Sequence, residues 1–231
     1  MTIHPEDVLT LVEVHDSLAS LKLLLADARC DDVDRTDLMI RAAQVENREV
    51  VLYLLSLPEV DPSASDNEAI RSSACKGDYE LVRELLSYSQ VNPSAKDNEA
   101  IKEALVRGHA EVVRLILASS RFSMENMMDL DGSFGEAIER NRTEAIRVLL
   151  KDGRFDPSNL FFSRDLCKGG TLEMFRVLYD DGRVDWDIDE NEALRTARKF
   201  NRTEMVELLL QDGRVQAEEQ RQQRRRDLLG Y

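Results

Sequence analysis

The stretch "DNEAIRSSACKGDYELVRELL", Asp66–Leu86, is answered thirty-one residues later by "DNEAIKEALVRGHAEVVRLIL", Asp97–Leu117. Self-similarity at a fixed period governs the reading of everything else in a chain. Aligning on a Gly or Asn that precedes a Glu by three residues extends the pattern to Gly77/Glu80, Gly108/Glu111, Asn141/Glu144, Gly170/Glu173 and Asn201/Glu204. The successive spacings are 31, 33, 29 and 31 residues. An earlier copy sits at Asn47/Glu49, one residue tighter, and "SLKLLL" at Ser20–Leu25 is a weaker echo. The unit therefore occurs six times with a half-copy in front.

Each unit divides into two short helical patterns. In the second, apolar residues fall at Leu81, Val82, Leu85 and Leu86, again at Val112, Val113, Ile116 and Leu117, and so on along the chain. That spacing places one broad apolar stripe on a helix. The first pattern carries small residues four apart, such as Ala100 and Ala104 or Ala193 and Ala197, which allow a neighbouring helix to approach closely. The aligned Gly or Asn suits a reversal that needs a positive φ. Asn67, Asn98, Asp131 and Asn191 stand where N-caps are expected. In "DGRFDPS", "DGRVDWD" and "DGRVQAE", Gly153, Gly182 and Gly213 read as helix C-caps, and Pro62, Pro93 and Pro157 prevent the helix from resuming. Helices of roughly nine residues do not persist alone in water. Such units are stable only when each covers the apolar face of the next.

A helix, a tight turn, a second helix and a Pro-containing extended finger, with "GHAEVV" at Gly108–Val113, resemble an ankyrin repeat. The resemblance runs from about Cys30 to Val215 and is nearest to a divergent subgroup with short repeats and "VDPS" fingers. The Thr-Pro-Leu-His opening typical of the family is replaced here by "NEAIR" or "NEALR", so whatever ties one repeat to the next at that point must differ. The expected fold is an all-α repeat solenoid, an ankyrin-like stack of about six helix-turn-helix repeats. Its expected segments are an N-terminal capping half-repeat at 1–29, repeats at 30–59, 60–90, 91–121, 122–154, 155–183 and 184–214, and a polar C-terminal cap or tail at 215–231.

The formal charge of −14 disfavours phosphate backbones and anionic membrane surfaces. No apolar run reaches the 18 or so residues of a membrane span. The opening "MTIHPEDVLTLVEVHD" lacks the basic stretch of a secretory signal. Cys30, Cys75 and Cys167 are too far apart for a metal or redox pair, which fits buried thiols in an intracellular, cytoplasmic or nuclear, protein. With three histidines, none at metal-ligand spacing, and no Gly-rich phosphate loop, no catalytic, metal or cofactor residue is assigned. The expectation is a monomeric, non-catalytic chain with a protein partner and no small-molecule substrate.

By the resemblance, that partner lies along a concave face of fingers and first helices. The candidate contacts are a basic ladder, Arg41, Arg71, Lys102 and Arg195 (with Arg164, and with Gly135 as the exception), together with Met127 and Met128 in an enlarged finger and Trp186 where other fingers carry Pro. An aromatic residue exposed on a finger is of the type that anchors interfaces. The ladder also admits a structural reading, each cation paired with a finger carboxylate such as Asp66, Asp97 or Asp189. A second ladder, Arg83, Arg114, Arg147 and Arg176, reads as solvated i, i+3 pairs. Two alternative functions are a purely structural spacer and a nucleic-acid-associated regulator.

Overall fold

The computed structural model describes residues 8, 10, 12, 13, 18–27, 30, 32–124, 128–158 and 162–229. Among these residues it is all-α, a repeat stack of paired helices. The chain forms two compact units, Met1–Asn126 and Met127–Tyr231.

In the first unit, α1 (Leu18–Leu25) precedes three helix pairs: α2 (Arg35–Gln44) with α3 (Arg48–Leu55), α4 (Ala64–Lys76) with α5 (Tyr79–Ser87), and α6 (Ala95–Arg107) with α7 (Ala110–Ala118). First helices pack side by side, α2 on α4 and α4 on α6, and α5 packs on α7. The small residues explain the close spacing: Ala69, Ala74, Ala100 and Ala104 are fully buried between neighbours. The apolar stripe of each second helix faces inward, with Val82, Leu85, Val113 and Ile116 at zero exposure.

In the second unit the pairs are α8 (Met128–Glu139) with α9 (Thr143–Asp152), α10 (Ser163–Gly169) with α11 (Leu172–Asp181), and α12 (Ile188–Lys199) with α13 (Thr203–Leu209). α14 (Gly213–Leu229) packs against α12. This unit buries aromatic rings. Phe134 lies 4.6 Å from Phe155 and 5.5 Å from Phe162, between centroids. Trp186 is 1% exposed and lies 4.9 Å from Phe175 and 6.3 Å from Tyr179.

The reversals between paired helices follow the sequence expectation at Gly77 (φ 79°), Gly108 (φ 85°), Asn141 (φ 58°) and Asn201 (φ 55°). Two positions differ. Glu46, not Asn47, takes the left-handed conformation in the first pair (φ 64°), which restores the three-residue step to Glu49. Gly170 is extended (φ −69°, ψ 162°), and a Cβ there would lie 2.7 Å from the Leu166 carbonyl oxygen, so its glycine serves close approach rather than chain reversal. Gly153 and Gly182 are left-handed C-caps as expected, but Gly213 opens α14 instead of closing α13.

The finger-to-helix junction is where the sequence reading departs most from the fold. Ser65-Asp66-Asn67, Lys96-Asp97-Asn98 and Asp189-Glu190-Asn191 are each left-handed, with φ between 50° and 65°. Each forms one left-handed turn, closed by a bond such as Asn67 N–H to the Ser63 carbonyl at 2.9 Å. Left-handed helical geometry costs L-residues about 1–2 kcal/mol each, so surrounding groups must hold it. The asparagines do not cap their own helices. Asn67 Oδ1 accepts from the Asn92 amide at 2.6 Å, and Asn191 Nδ2 donates to the Val215 carbonyl at 2.9 Å, each reaching about 25 residues along the chain. Thr36, at the register of Asn67, accepts from the Asp61 amide at 3.2 Å. These bonds join repeat to repeat where the usual opening motif is missing.

Candidate interaction surface

The first helices of each unit form one face, and the basic ladder lies along it. Arg71 is only 13% exposed at its side chain. Its Nε donates to the Asp66 carbonyl at 3.1 Å, its Nη2 to the Ser65 carbonyl at 3.3 Å, and its guanidinium pairs with Glu68 and with Glu99 of the next repeat. Arg195 repeats the arrangement, donating to the Asp189 carbonyl at 2.9 Å and pairing with Glu190 at 3.6 Å. Both arginines clamp the left-handed turn that precedes their helix. Arg164 lies 3.6 Å from Glu192 of the next repeat, the same step as Arg71 to Glu99. Lys102 is half-buried at this register. Glu68, Glu99 and Glu192 meet the ladder from the first helices and Glu190 meets it from the junction, whereas Asp66, the counterpart of Glu190, pairs with Lys96 at 2.9 Å and is held below the usual carboxylate range by that bond.

Three candidate contacts need correction. Because Glu46 makes the first reversal, Ile40 occupies the ladder register and is buried, while Arg41 sits one residue on and pairs with Asp37 at 3.5 Å. Trp186 is not an exposed anchor. The Pro slot that it fills points inward, and Pro62, Pro93 and Pro157 are buried there too. Met127 lies outside the described residues, and Met128 begins α8 rather than extending a finger. The second ladder matches its expectation at Arg114–Glu111 (3.3 Å) and Arg147–Glu144 (2.9 Å), which are exposed i, i+3 pairs, but Arg176 pairs instead with Glu204 of the next repeat at 3.4 Å.

A third set of arginines went unread in the sequence although "DGR" spells it out. Arg154, Arg183 and Arg214 each fork onto the Asp two residues before, Asp152, Asp181 and Asp212. Arg183 then reaches back to the carbonyls of Phe155 (2.6 Å) and Leu150 (2.9 Å), and Arg214 to that of Val184 (3.1 Å). Arg121, which follows Ser-Ser instead of Asp-Gly, makes the same reach to the carbonyls of Tyr88 and Leu86. A guanidinium offers enough donors to serve a carboxylate and two carbonyls at once.

Hydrogen bonds from Arg154 and Arg214 hold the Asp152 and Asp212 carboxyls below their ordinary range. Such a group binds its proton more weakly folded than unfolded. Its contribution to stability is therefore complete above the ordinary carboxylate value and is lost as pH falls through the folded one. The urea midpoint is expected to be flat from pH 7 to 5 and to drop below pH 4, with a smaller drop in the Asp152→Asn/Asp212→Asn double variant. An identical acid profile in that variant would remove these pairs from the account.

His109 is tied into the frame: its ring lies against Gly77, and its Nε2 is 3.1 Å from the Cys75 carbonyl. Burial pushes the Cys167 thiol up to about 12, which leaves it without thiolate at neutral pH. Among the described residues no group of three or more His, Cys, Asp or Glu is placed to hold a metal, and no helix is long and apolar enough to cross a membrane.

Each unit has clefts between its first helices. Between α8 and α10 lies a cleft of about 400 Å³, lined by Asp131, Gly135, Ile138, Glu139, Phe162 and Leu166 among others. The matching place between α4 and α6 holds a cleft of about 350 Å³, and there Arg71 and its two glutamates line it.

Residues 38–128 match the family model described as ankyrin repeats (3 copies). No curated protein matches the chain. The matched residues include α4 and α6, whose left-handed junction α12 repeats, and paired helices continue through the second unit. Residues 38–128 of the chain are ankyrin repeats.

Proposed function

We propose that the chain is a non-catalytic scaffold that binds a protein partner on the face made by its first helices and fingers. Ankyrin repeats generally mediate protein–protein interaction. The observation that carries the choice of face is the cleft between α8 and α10, an opening of about 400 Å³ with apolar floor and acidic edge. The second helices instead present exposed ion pairs such as Arg147–Glu144, the arrangement of a solvated surface.

Lysine cross-linking of the native chain to a partner recovered from its host separates the faces. Lys76, Lys96 and Lys199 lie on first helices and their junctions, and Lys151 lies on the second helix α9. Cross-links are expected at the first three. A partner joined through Lys151 alone would place binding on the opposite layer and overturn the reading.

A further inference from the structure

α4, α6 and α12 each carry an acid and a base three residues apart near the start of the first helix: Glu68 and Arg71, Glu99 and Lys102, Glu192 and Arg195. At the same register α8 carries Gly132 and Gly135. Both partners of the pair are replaced together. Two glycines in a helix interior cost about 1 kcal/mol each relative to alanine, and close packing does not explain them, because a Cβ on either would meet no atom within 4 Å. Neither glycine has a left-handed backbone that would require it. Their effect is to leave the cleft without the charged pair that lines its counterpart between α4 and α6.

Acids at other registers line the cleft. Asp131 and Glu139 line it, and neither has an ion-pair partner among the described residues. Burial raises the Asp131 carboxyl above its ordinary range, with no nearby cation to offset it. Ile138 and Leu166 are buried and form an apolar floor, and Phe162 also lines the cleft. In the first unit the equivalent place shows what satisfies such an arrangement, since there Arg71 lies between Glu68 and Glu99.

We propose that the cleft between α8 and α10 receives an arginine side chain from a basic segment of a partner protein, supplying in trans the cation that Arg71 supplies within the chain. The inference rests on the scaffold reading above and adds the chemistry of the partner. The arginine methylenes cover Ile138 and Leu166, and the guanidinium meets Asp131 and Glu139. A guanidinium is preferred to an ammonium because its planar fork can serve two carboxylates and is less strongly hydrated. An acidic or wholly apolar segment would leave both carboxylates unpaired against a covered surface. The net charge of −14 speeds the approach of a basic segment to any part of the surface, so the test must separate the cleft from that general attraction.

The full chain is titrated into fluorescein-labelled Ala-Leu-Arg-Ala-Leu-Arg-Ala-Leu at physiological salt, followed by anisotropy. Parallel probes carry citrulline or lysine in place of arginine. The citrulline probe, equal in shape but uncharged, is expected to bind at least about tenfold more weakly, and the lysine probe about three- to tenfold more weakly. Gly135→Arg fills the cleft from within and is expected to weaken the arginine probe at least about tenfold, and Asp131→Asn about fivefold. Glu207→Gln changes the net charge by the same single unit on exposed α13 and is expected to stay within about twofold. Gly135→Arg points into open space, so its thermal midpoint is expected not to fall, which separates lost binding from lost folding.

Equal weakening by Gly135→Arg and Glu207→Gln would reduce the effect to bulk charge and overturn the proposal, as would a citrulline probe that binds as tightly as arginine. A dimer in sedimentation that Gly135→Arg abolishes would assign the cleft to a second copy, and that too overturns it. A host partner that cross-links to the first helices yet binds Gly135→Arg undiminished overturns the cleft assignment alone. Cross-links confined to Lys151 overturn the scaffold face instead, while the probe titration still decides the cleft.

Discussion

Replacing Trp186 by alanine is expected to cost the second unit about 3–5 kcal/mol, the range for truncating a buried large aromatic side chain. The ring is 1% exposed and lies against Phe175 and Tyr179, at 4.9 and 6.3 Å between centroids. The inward slot that takes proline at 62, 93 and 157 is filled here by a side chain several times larger. Cavity formation sets the cost, because the helices on either side are tied to further repeats and cannot collapse onto the gap. Trp186→Phe keeps most of the contact area and is expected to lose less than half as much. Far-UV circular dichroism through a urea titration measures both without relying on the indole itself. An alanine variant within 1 kcal/mol of the native chain would mean that the slot is open to solvent and that Trp186 is free to meet a partner.

The repeat was legible because two independent signals coincide: an apolar stripe at helical spacing and a Gly or Asn at each reversal. Those signals report local periodicity and positive φ, which a single residue type can reveal. They fail where another residue takes the strained position. Glu46 did so, and counting from the neighbouring Asn47 displaced the first pair by one residue and moved Arg41 onto a ladder where Ile40 stands. The left-handed junctions were illegible for a different reason. Asn before a helix reads equally well as an N-cap, and only its partner 25 residues away, the Asn92 amide, distinguishes the two roles. Long-range partners also decide Trp186, whose finger position says nothing of which way the slot points. The cleft was half visible: Gly135 stood out as the missing base, but the loss of its acid at Gly132 has meaning only once Arg71 is seen bridging Glu68 and Glu99.

Arg183→Ala is expected to destabilise the second unit by about 2–3 kcal/mol, because hydrogen bonds involving a charged partner contribute about 1.5–3 kcal/mol and several are lost together. The guanidinium donates to the Phe155 and Leu150 carbonyls and forks onto Asp181 at 2.7 and 2.8 Å. Asp181, only 12% exposed at its side chain, would be left with its charge and neither of these bonds. The Phe155 carbonyl belongs to a residue that is itself fully buried, so water replaces the lost donor poorly. Arg176→Ala, on the helix that Arg183 follows, is the matched control. Its guanidinium is exposed and makes one 3.4 Å pair with Glu204, so its removal is expected to cost less than about 0.5 kcal/mol. Arg183→Lys separates charge from shape, since an ammonium can follow Asp181 or a carbonyl but not the whole fork; an intermediate loss of about 1–2 kcal/mol is expected. Urea unfolding of the three variants reads the differences directly. If Arg183→Ala and Arg176→Ala fell together, the reach from one repeat to the carbonyls of the one before would contribute nothing. The Asp-Gly-Arg signature would then mark a turn alone.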